Sequence, residues 1–219
     1  MGKRMIGLRT LAFGASTVLV VSILLISPTA SSGLAAQDVP QAKPAQPELK
    51  PQTREHGKAI AVDPAIITVD DGDTVVIHWP GDEETVRILG IDTPETRHDE
   101  HNIPIDQAFG PEARTFAQGA FAVATKVQLV RASMLDPYGR TLGYLILNGK
   151  NYSVLVVKAS LAEESVTFYG DNGLPQLAAE VMAAAKAAGP LPFEAPHAFR
   201  KRMRAFSDWQ KASQPVVPH

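Results

Sequence analysis

Short runs of β-branched residues cut by turn signals dominate the chain between Gly57 and Asp92. Residues 59–62 and 65–69 form two such runs, interrupted by Asp63-Pro64. Asp70-Asp71-Gly72 then reads as a turn, residues 74–79 as a strand, Pro80-Gly81-Asp82 as a second turn, and residues 84–91 as a further strand. Within that last run Val86 and Ile88 face one way and Arg87 the other, the period of two expected of a half-buried strand. The periodicity changes at Pro111. Phe116, Ala120, Val123 and Ala124 recur at helical spacing, and Pro111 suits a first helical turn. Residues 126–131 and 141–147 read as two more strands around the turn Asp136-Pro137-Tyr138-Gly139. Residues 174–188 are an alanine-rich helix with Leu177, Val181 and Ala184 on one stripe, ending at Gly189-Pro190. The fold class is mainly β with α. Five or so strands with an inserted helix and a later one describe an OB-fold, five-stranded barrel better than a sandwich, with about three helices packed on it.

The ends of the chain read differently. Residues 1–9 carry Lys3, Arg4 and Arg9 without an acid, and residues 11–26 are apolar except for Gly14, Ser16, Thr17 and Ser22. A basic start followed by an apolar run is an export signal, with Gly33-Leu34-Ala35 as a cleavage site. The alternative is an uncleaved anchor over residues 10–27, although the run falls short of the roughly 20 apolar residues of a spanning helix. Either way the remainder is expected outside the cytoplasm, periplasmic or secreted. Residues 36–56 are rich in Pro, Gln, Lys and Ala and read as a linker, with order beginning near Gly57. Residues 57–193 would form the domain, and residues 194–219 a short helical tail. The chain has no cysteine, which excludes disulfides and thiolate metal sites. Without the three basic residues of the signal, a net charge of −2 becomes about −5. Such a balance excludes gripping nucleic acid with the whole surface, so any such activity must be local and metal-assisted.

Candidate chemistry concentrates in Asp71-Gly72-Asp73-Thr74, Arg87, Asp92-Thr93-Pro94-Glu95 and Tyr138-Gly139-Arg140. A phosphodiester is an anion, and its hydrolysis gathers further charge on the phosphoryl oxygens. Carboxylates alone repel it. Carboxylates holding a divalent cation and flanked by arginines attract it and stabilise the transition state. Asp73 and Asp92 are hard oxygen donors suited to Ca²⁺ or Mg²⁺. Arg87 and Arg140 can each fork two hydrogen bonds onto a phosphate. Glu95 is a candidate base for an attacking water.

Residues 69–95, the run Phe109-Gly110-Pro111-Glu112-Ala113 and residues 136–143 together resemble the thermonuclease (staphylococcal nuclease) family. The spacings carry the resemblance: fourteen residues from Asp73 to Arg87 and five from Arg87 to Asp92. It covers roughly residues 58–188. The resemblance implies an OB barrel with helices and cleavage of DNA and RNA, endonucleolytic and exonucleolytic, leaving 3′-phosphates. It implies Ca²⁺ on Asp73 and Asp92 with the Thr93 carbonyl, and Glu95 orienting or deprotonating water. Arg87 and Arg140 would bind the phosphate and stabilise its transition state. The chain departs from the pattern at Pro137, where the family often has a basic residue, and at Gly189-Pro190-Leu191-Pro192-Phe193, where its closing helix usually runs into a tryptophan. Residues from Pro196 onward have no counterpart. For residues 151–161, Val154, Val156 and Val157 favour a strand while the family places a short helix; the helix is expected here.

Other features have two readings. His98-Asp99-Glu100-His101 is a possible cation site, but it reads better as an acidic, solvated loop before Pro104. Tyr138 and Tyr169 are candidate substrate contacts, by stacking on a base or bonding a phosphate; Phe168-Tyr169-Gly170 reads equally as a strand end. The basic run from Phe199 to Phe206 puts Phe199, Met203 and Phe206 on one face, and is expected to dock that face on the domain rather than contact nucleic acid or a membrane. Two functions therefore stand: an exported nuclease acting on DNA or RNA, expected as a monomer, and a non-catalytic OB module binding nucleic acid or a protein partner. A binding module needs neither Glu95 nor a paired-Asp metal site. Membrane association follows only from an uncleaved N-terminal segment.

Overall fold

A computed structural model describes residues 49–213; the expected signal or anchor, and most of the linker, lie outside them. Chain pairing begins ahead of Gly57: the Leu135 amide donates to the Lys50 carbonyl (2.8 Å), and Gln52 donates to Ser133 (2.8 Å). Strand β1 (Ala59–Val62) follows. The second expected run then loses its first residues to a 3-10 turn at Pro64–Ile66, because Asp63 accepts the Ala65 amide through its side chain (2.9 Å) and Pro64 fixes the turn. Only Ile67–Val69 remains as β2. Strands β3 (Thr74–Trp79) and β4 (Asp82–Ile88) pair as an antiparallel hairpin, and β5 (Ile91–Asp92) leaves it. After helix α1 (Gly110–Ala122) come β6 (Val127–Leu135), β7 (Thr141–Leu147) and β8 (Lys150–Asn151).

The main sheet has seven strands rather than five, in the order β1-β6-β7-β4-β3-β2, with β8 added to β7. Its pairs are antiparallel except β4 with β7. The two ends of that path, β1 and β2, are consecutive in the chain and separated by one short turn. The sheet must therefore curl to bring its edges together, giving the half-barrel character of an OB-like fold. Val75, Ile77, Val86, Ile88, Leu129 and Leu145 fill its interior. As the alternation requires, Val86 and Ile88 are buried and Arg87 between them is turned to the other face.

Five helices are present where about three were expected. Helix α2 (Tyr152–Lys158) forms in spite of its valines: Asn151 caps the Ser153 amide (3.1 Å), and Val156 and Val157 are buried beneath helix α4 (Pro175–Ala188). Packing overrides strand propensity here. Strand β9 (Glu163–Glu164) pairs with β5 as a separate ribbon. Tyr169, read from sequence as a possible strand end, instead closes the single-turn helix α3 (Val166–Tyr169). The expected short tail is an 18-residue helix, α5 (Pro196–Ser213), docked through Phe199 and Met203 onto Ile103. Phe206, expected on the docked face, stays largely exposed and stacks on Trp209 instead.

A buried ion pair joins the barrel strands. Glu84 of β4 receives Nε and Nη2 of Arg131 (2.7 and 2.6 Å), the Thr141 hydroxyl (2.7 Å) and the Trp79 indole (2.8 Å). Burial pushes its carboxyl up, but the bonds from Arg131, Thr141 and Trp79 more than offset this and hold it below the ordinary range. The resulting stabilisation is present above the unfolded-state value and is lost as pH falls through the depressed folded value. Glu84→Gln leaves Arg131 buried without its counter-charge and should cost about 3 kcal/mol in urea unfolding at neutral pH. The gap between variant and wild type should narrow in acid. A loss below ~1 kcal/mol would mean that this pair is not a strut of the barrel.

Candidate active site

The β2–β3 turn, the end of β4 and the segment after β5 meet around Asp73, Arg87 and Asp92. The turn is held from below. The buried Tyr152 hydroxyl of α2 donates to the Gly72 carbonyl (2.7 Å), and the Asp71 carboxylate accepts the Asp73 amide (2.9 Å). Gly72 has no room for a side chain, since a Cβ would lie within 2.8 Å of the Thr93 side chain. This close approach lets Thr93 donate both its amide and its hydroxyl to Asp73 Oδ2 (2.8 and 2.9 Å). Asp73 and Asp92 are both buried.

Arg87 rises from β4 between the two aspartates. It pairs with Asp73 Oδ1 through Nη1, and donates through Nη2 to Asp92 Oδ1 (2.9 Å) and to the Ile91 carbonyl (3.3 Å). Beyond Asp92 the backbone of Glu95 is clamped. Its amide donates to the Gln107 side chain (3.1 Å), its carbonyl accepts the Gln107 amide (2.8 Å), and Gly110 packs against that same carbonyl. Phe109 adopts a left-handed φ of 71° to make the turn into α1, a costly conformation for a bulky residue. Burial pushes the Glu95 carboxyl up; Arg200 opposes the shift, and Asp92 and Asp71 add to it. Burial likewise raises Asp71, against the pull of Arg87. Glu95 is thus a carboxyl displaced in the direction that makes it a stronger base when ionised.

The sequence-derived set divides in two. Asp73, Arg87, Asp92 and Thr93 form one bonded cluster, and the Glu95 carboxylate joins it only through Arg200 of α5. Arg140 stands on the β6–β7 turn, where its amide and Nε donate to Asp136 (2.8 and 2.6 Å). Its two Nη groups make no hydrogen bond among the described residues, and its guanidinium lies 5.6 Å from the Tyr138 ring. Tyr138 and Tyr169 are strongly exposed, and neither bonds the acids. The His98–His101 stretch is a surface turn with the exposed pair Arg97–Asp99 beside it (2.6 Å).

Sequence reasoning missed three contributors. Arg200 of α5 donates Nη1 to Asp92 Oδ1 (3.0 Å) and Glu95 Oε1 (2.5 Å), and Nη2 to Asp92 Oδ2 (2.8 Å). Gln107 is buried and ties the Glu95 backbone to the Glu194 carbonyl (2.6 Å), just ahead of α5. Asp136 orients Arg140. Arg200 follows Phe199 on the flank of the 199/203 docking stripe, but nothing in the sequence singles it out from the exposed basic residues around it.

Comparison with known proteins matches residues 85–189 to the family model described as staphylococcal nuclease homologue. The thermonuclease of Staphylococcus intermedius is 37% identical over 105 residues, covering 48% of this chain and 59% of that protein. The thermonuclease of Staphylococcus hyicus is 35% identical over 108 residues (49% and 60%). Endonuclease YncB of Bacillus subtilis is 31% identical over 107 residues (47% and 49%). The similarity thus spans about half to three-fifths of the length of these relatives. The family match contains Arg87, Asp92, Thr93, Glu95, Tyr138, Arg140 and Tyr169; Asp73 precedes it and Arg200 follows it.

Gly110→Ala tests the clamp on Glu95. A Cβ at position 110 would sit 2.8 Å from the Glu95 carbonyl carbon and closer still to its oxygen, so one backbone must move. The expected cost is ~1–3 kcal/mol, read as a fall in melting temperature. An unchanged melting temperature would mean that the segment carrying Glu95 is loosely held.

Proposed function

We propose, starting from the membership of residues 85–189 in a thermonuclease-like family, that the protein is a divalent-cation-dependent nuclease hydrolysing phosphodiester bonds of DNA or RNA. The observation that carries the reading is the alternation of charge in the cluster: Arg87 spans Asp73 and Asp92, and a second guanidinium spans Asp92 and Glu95. The donor set fits a hard divalent cation. It offers the carboxylate oxygens of Asp73, Asp92 and Glu95, with neither sulfur nor imidazole, at a spot where positive charge is already held.

Asp73, Asp92 and the Thr93 carbonyl would hold the ion, Ca²⁺ in first place and Mg²⁺ or another divalent ion as the alternative. When bound, it supplies charge neutralisation at the phosphoryl oxygens and a more acidic water. Glu95 would orient an attacking water and take its proton; the upward push of burial on its carboxyl favours the transfer. As the water oxygen bonds phosphorus, the bond to the 5′-oxygen breaks, that oxygen leaves with the bonding pair and takes a proton from solvent, and the other strand end keeps a 3′-phosphate. Arg140 offers its two Nη groups to the non-bridging oxygens from a turn that Asp136 keeps rigid. Arg87, which pairs with Asp73 and Asp92 in this structure, would support the same oxygens. Tyr138, exposed beside Arg140, is the proposed stacking contact for a base, and Tyr169 a second one. The proposed setting is outside the cytoplasm, from the basic start and the apolar run at residues 11–26.

The test is cleavage of single-stranded DNA, double-stranded DNA and RNA by the purified full-length chain with Ca²⁺, with Mg²⁺ and with a chelator. Cleavage should require the metal and should fall about a hundredfold or more in both Glu95→Gln and Arg140→Ala. A folded wild-type protein that cuts none of these substrates with either ion would overturn the reading.

A further inference from the structure

Arg200 lies beyond the family match, on helix α5, yet it reaches the centre of the acid cluster. Its guanidinium covers both oxygens of Asp92 and one of Glu95. Asp92 Oδ1 already accepts from Arg87, so two donors fill that oxygen. Burial disfavours the charge on Arg200, but the carboxylates of Asp92 and Glu95 more than offset this and keep it protonated.

We propose that Arg200 is a built-in competitor for the divalent cation: α5 places its guanidinium on Asp92 and Glu95, and an ion can load the site only as that guanidinium withdraws. The proposal rests on the reading of Asp73 and Asp92 as cation ligands. A guanidinium and a divalent ion on the same edge of one carboxylate repel at contact distance, and a half-buried site screens that repulsion less than water does. They cannot both keep Asp92.

The attachment of α5 suits such an exchange. Its apolar contact is the small cluster of Ile103, Phe199 and Met203, separate from the main core. Otherwise it is tied by Ser207 to the Asn102 carbonyl (3.2 Å), by Lys211 to the Asn102 side chain (2.6 Å), and by His197, whose ring stands 6.2 Å from Phe168 and 4.0 Å from the Glu163 carboxylate. The pair Arg202–Glu194 joins α5 only to its own approach segment. Losing the Arg200 contacts therefore removes a large part of what holds the helix over the site. The arrangement also steadies the ion-free protein, since without Arg200 the partly buried Glu95 would have no counter-charge and Asp92 would share Arg87 with Asp73.

The experiment is calorimetric titration of the full-length wild type, Arg200→Gln and Arg200→Lys with Ca²⁺ alone, with no nucleic acid present. Arg200→Gln should bind Ca²⁺ at least about tenfold more tightly than wild type, the scale of a lost charge-assisted contact, and Arg200→Lys should fall between them. Ion-free Arg200→Gln should melt below wild type and gain more from saturating Ca²⁺. In the wild type, hydrogen exchange across residues 196–213 should quicken when Ca²⁺ is added, a readout that survives should the variant fold poorly. Equal or weaker affinity in Arg200→Gln, or exchange in α5 unchanged at saturation, would overturn the competitor role and leave Arg200 as a fixed part of the site. Absence of Ca²⁺ binding by wild type and variants alike would remove the cation site itself, and the proposal with it.

Discussion

Drawing Asp71, Asp73, Asp92 and Glu95 into one partly buried corner of a barrel is the constraint on which the rest of this structure turns. Ionised carboxylates repel one another and lose hydration when buried, so the corner is stable only with matching positive charge. Arg87 supplies the first part because β4 places it opposite Val86 and Ile88, and it joins Asp73 to Asp92. Arg200 supplies the second from a separate helix, joining Asp92 to Glu95. The neutral supports follow the same logic. Thr93 saturates one oxygen of Asp73, Tyr152 fixes the turn that carries it, and Gln107 holds the backbone of Glu95 from both sides. These supports hold the acids in place and leave the positive charge above them as the element open to exchange.

Much of this corner could be read from the chain because the residues that build it are local in sequence. Strand alternation fixes the direction of Arg87, and Asp92, Thr93 and Glu95 leave the same hairpin within a few residues. The barrel strands were legible in part: the run 84–91 breaks at Gly90 (φ 81°) into β4 and β5, β6 continues to Leu135, β8 gave no signal, and at Asp63-Pro64 a side-chain bond competes with the ladder. What could not be read depends on tertiary packing. Helix α2 is set by burial of Val156 and Val157 against propensity, and α3 is a single turn whose sequence gives no periodic signal. Arg200 stands more than a hundred residues from both carboxylates that it bonds, and the charged run around it has the composition of any solvated helix face.

The boundaries of the family match make the same point in another form. Residues 85–189 hold Arg87, Asp92, Glu95 and Arg140 but leave out Asp73 on one side and Arg200 on the other. Asp73 returns to the cluster through the pairing of β3 with β4, in which Thr74 lies opposite Arg87. Arg200 returns through the docking of α5 near Ile103. A site assembled this way inherits its conserved-looking chemistry from one stretch and its electrostatic balance from the whole fold, so that segments flanking the match can alter how the same acids behave.

The contrast between the two arginine–carboxylate assemblies shows which of them is built to change. Glu84 and Arg131 are both nearly inaccessible, with side chains 2% and 4% exposed, and Trp79 and Thr141 fill the remaining acceptor capacity of the carboxylate. Removing either ion there leaves a buried charge that no solvent can reach. In the acid corner the arginines are more open, at 19% for Arg87 and 23% for Arg200, while Asp92 beneath them is at 6%. Positive charge there sits on the solvent side of the negative charge, where one cation can replace another without uncovering the core. The same pair of functional groups thus serves as a strut in one place and as an exchangeable cover in the other, and the difference lies in which partner faces water.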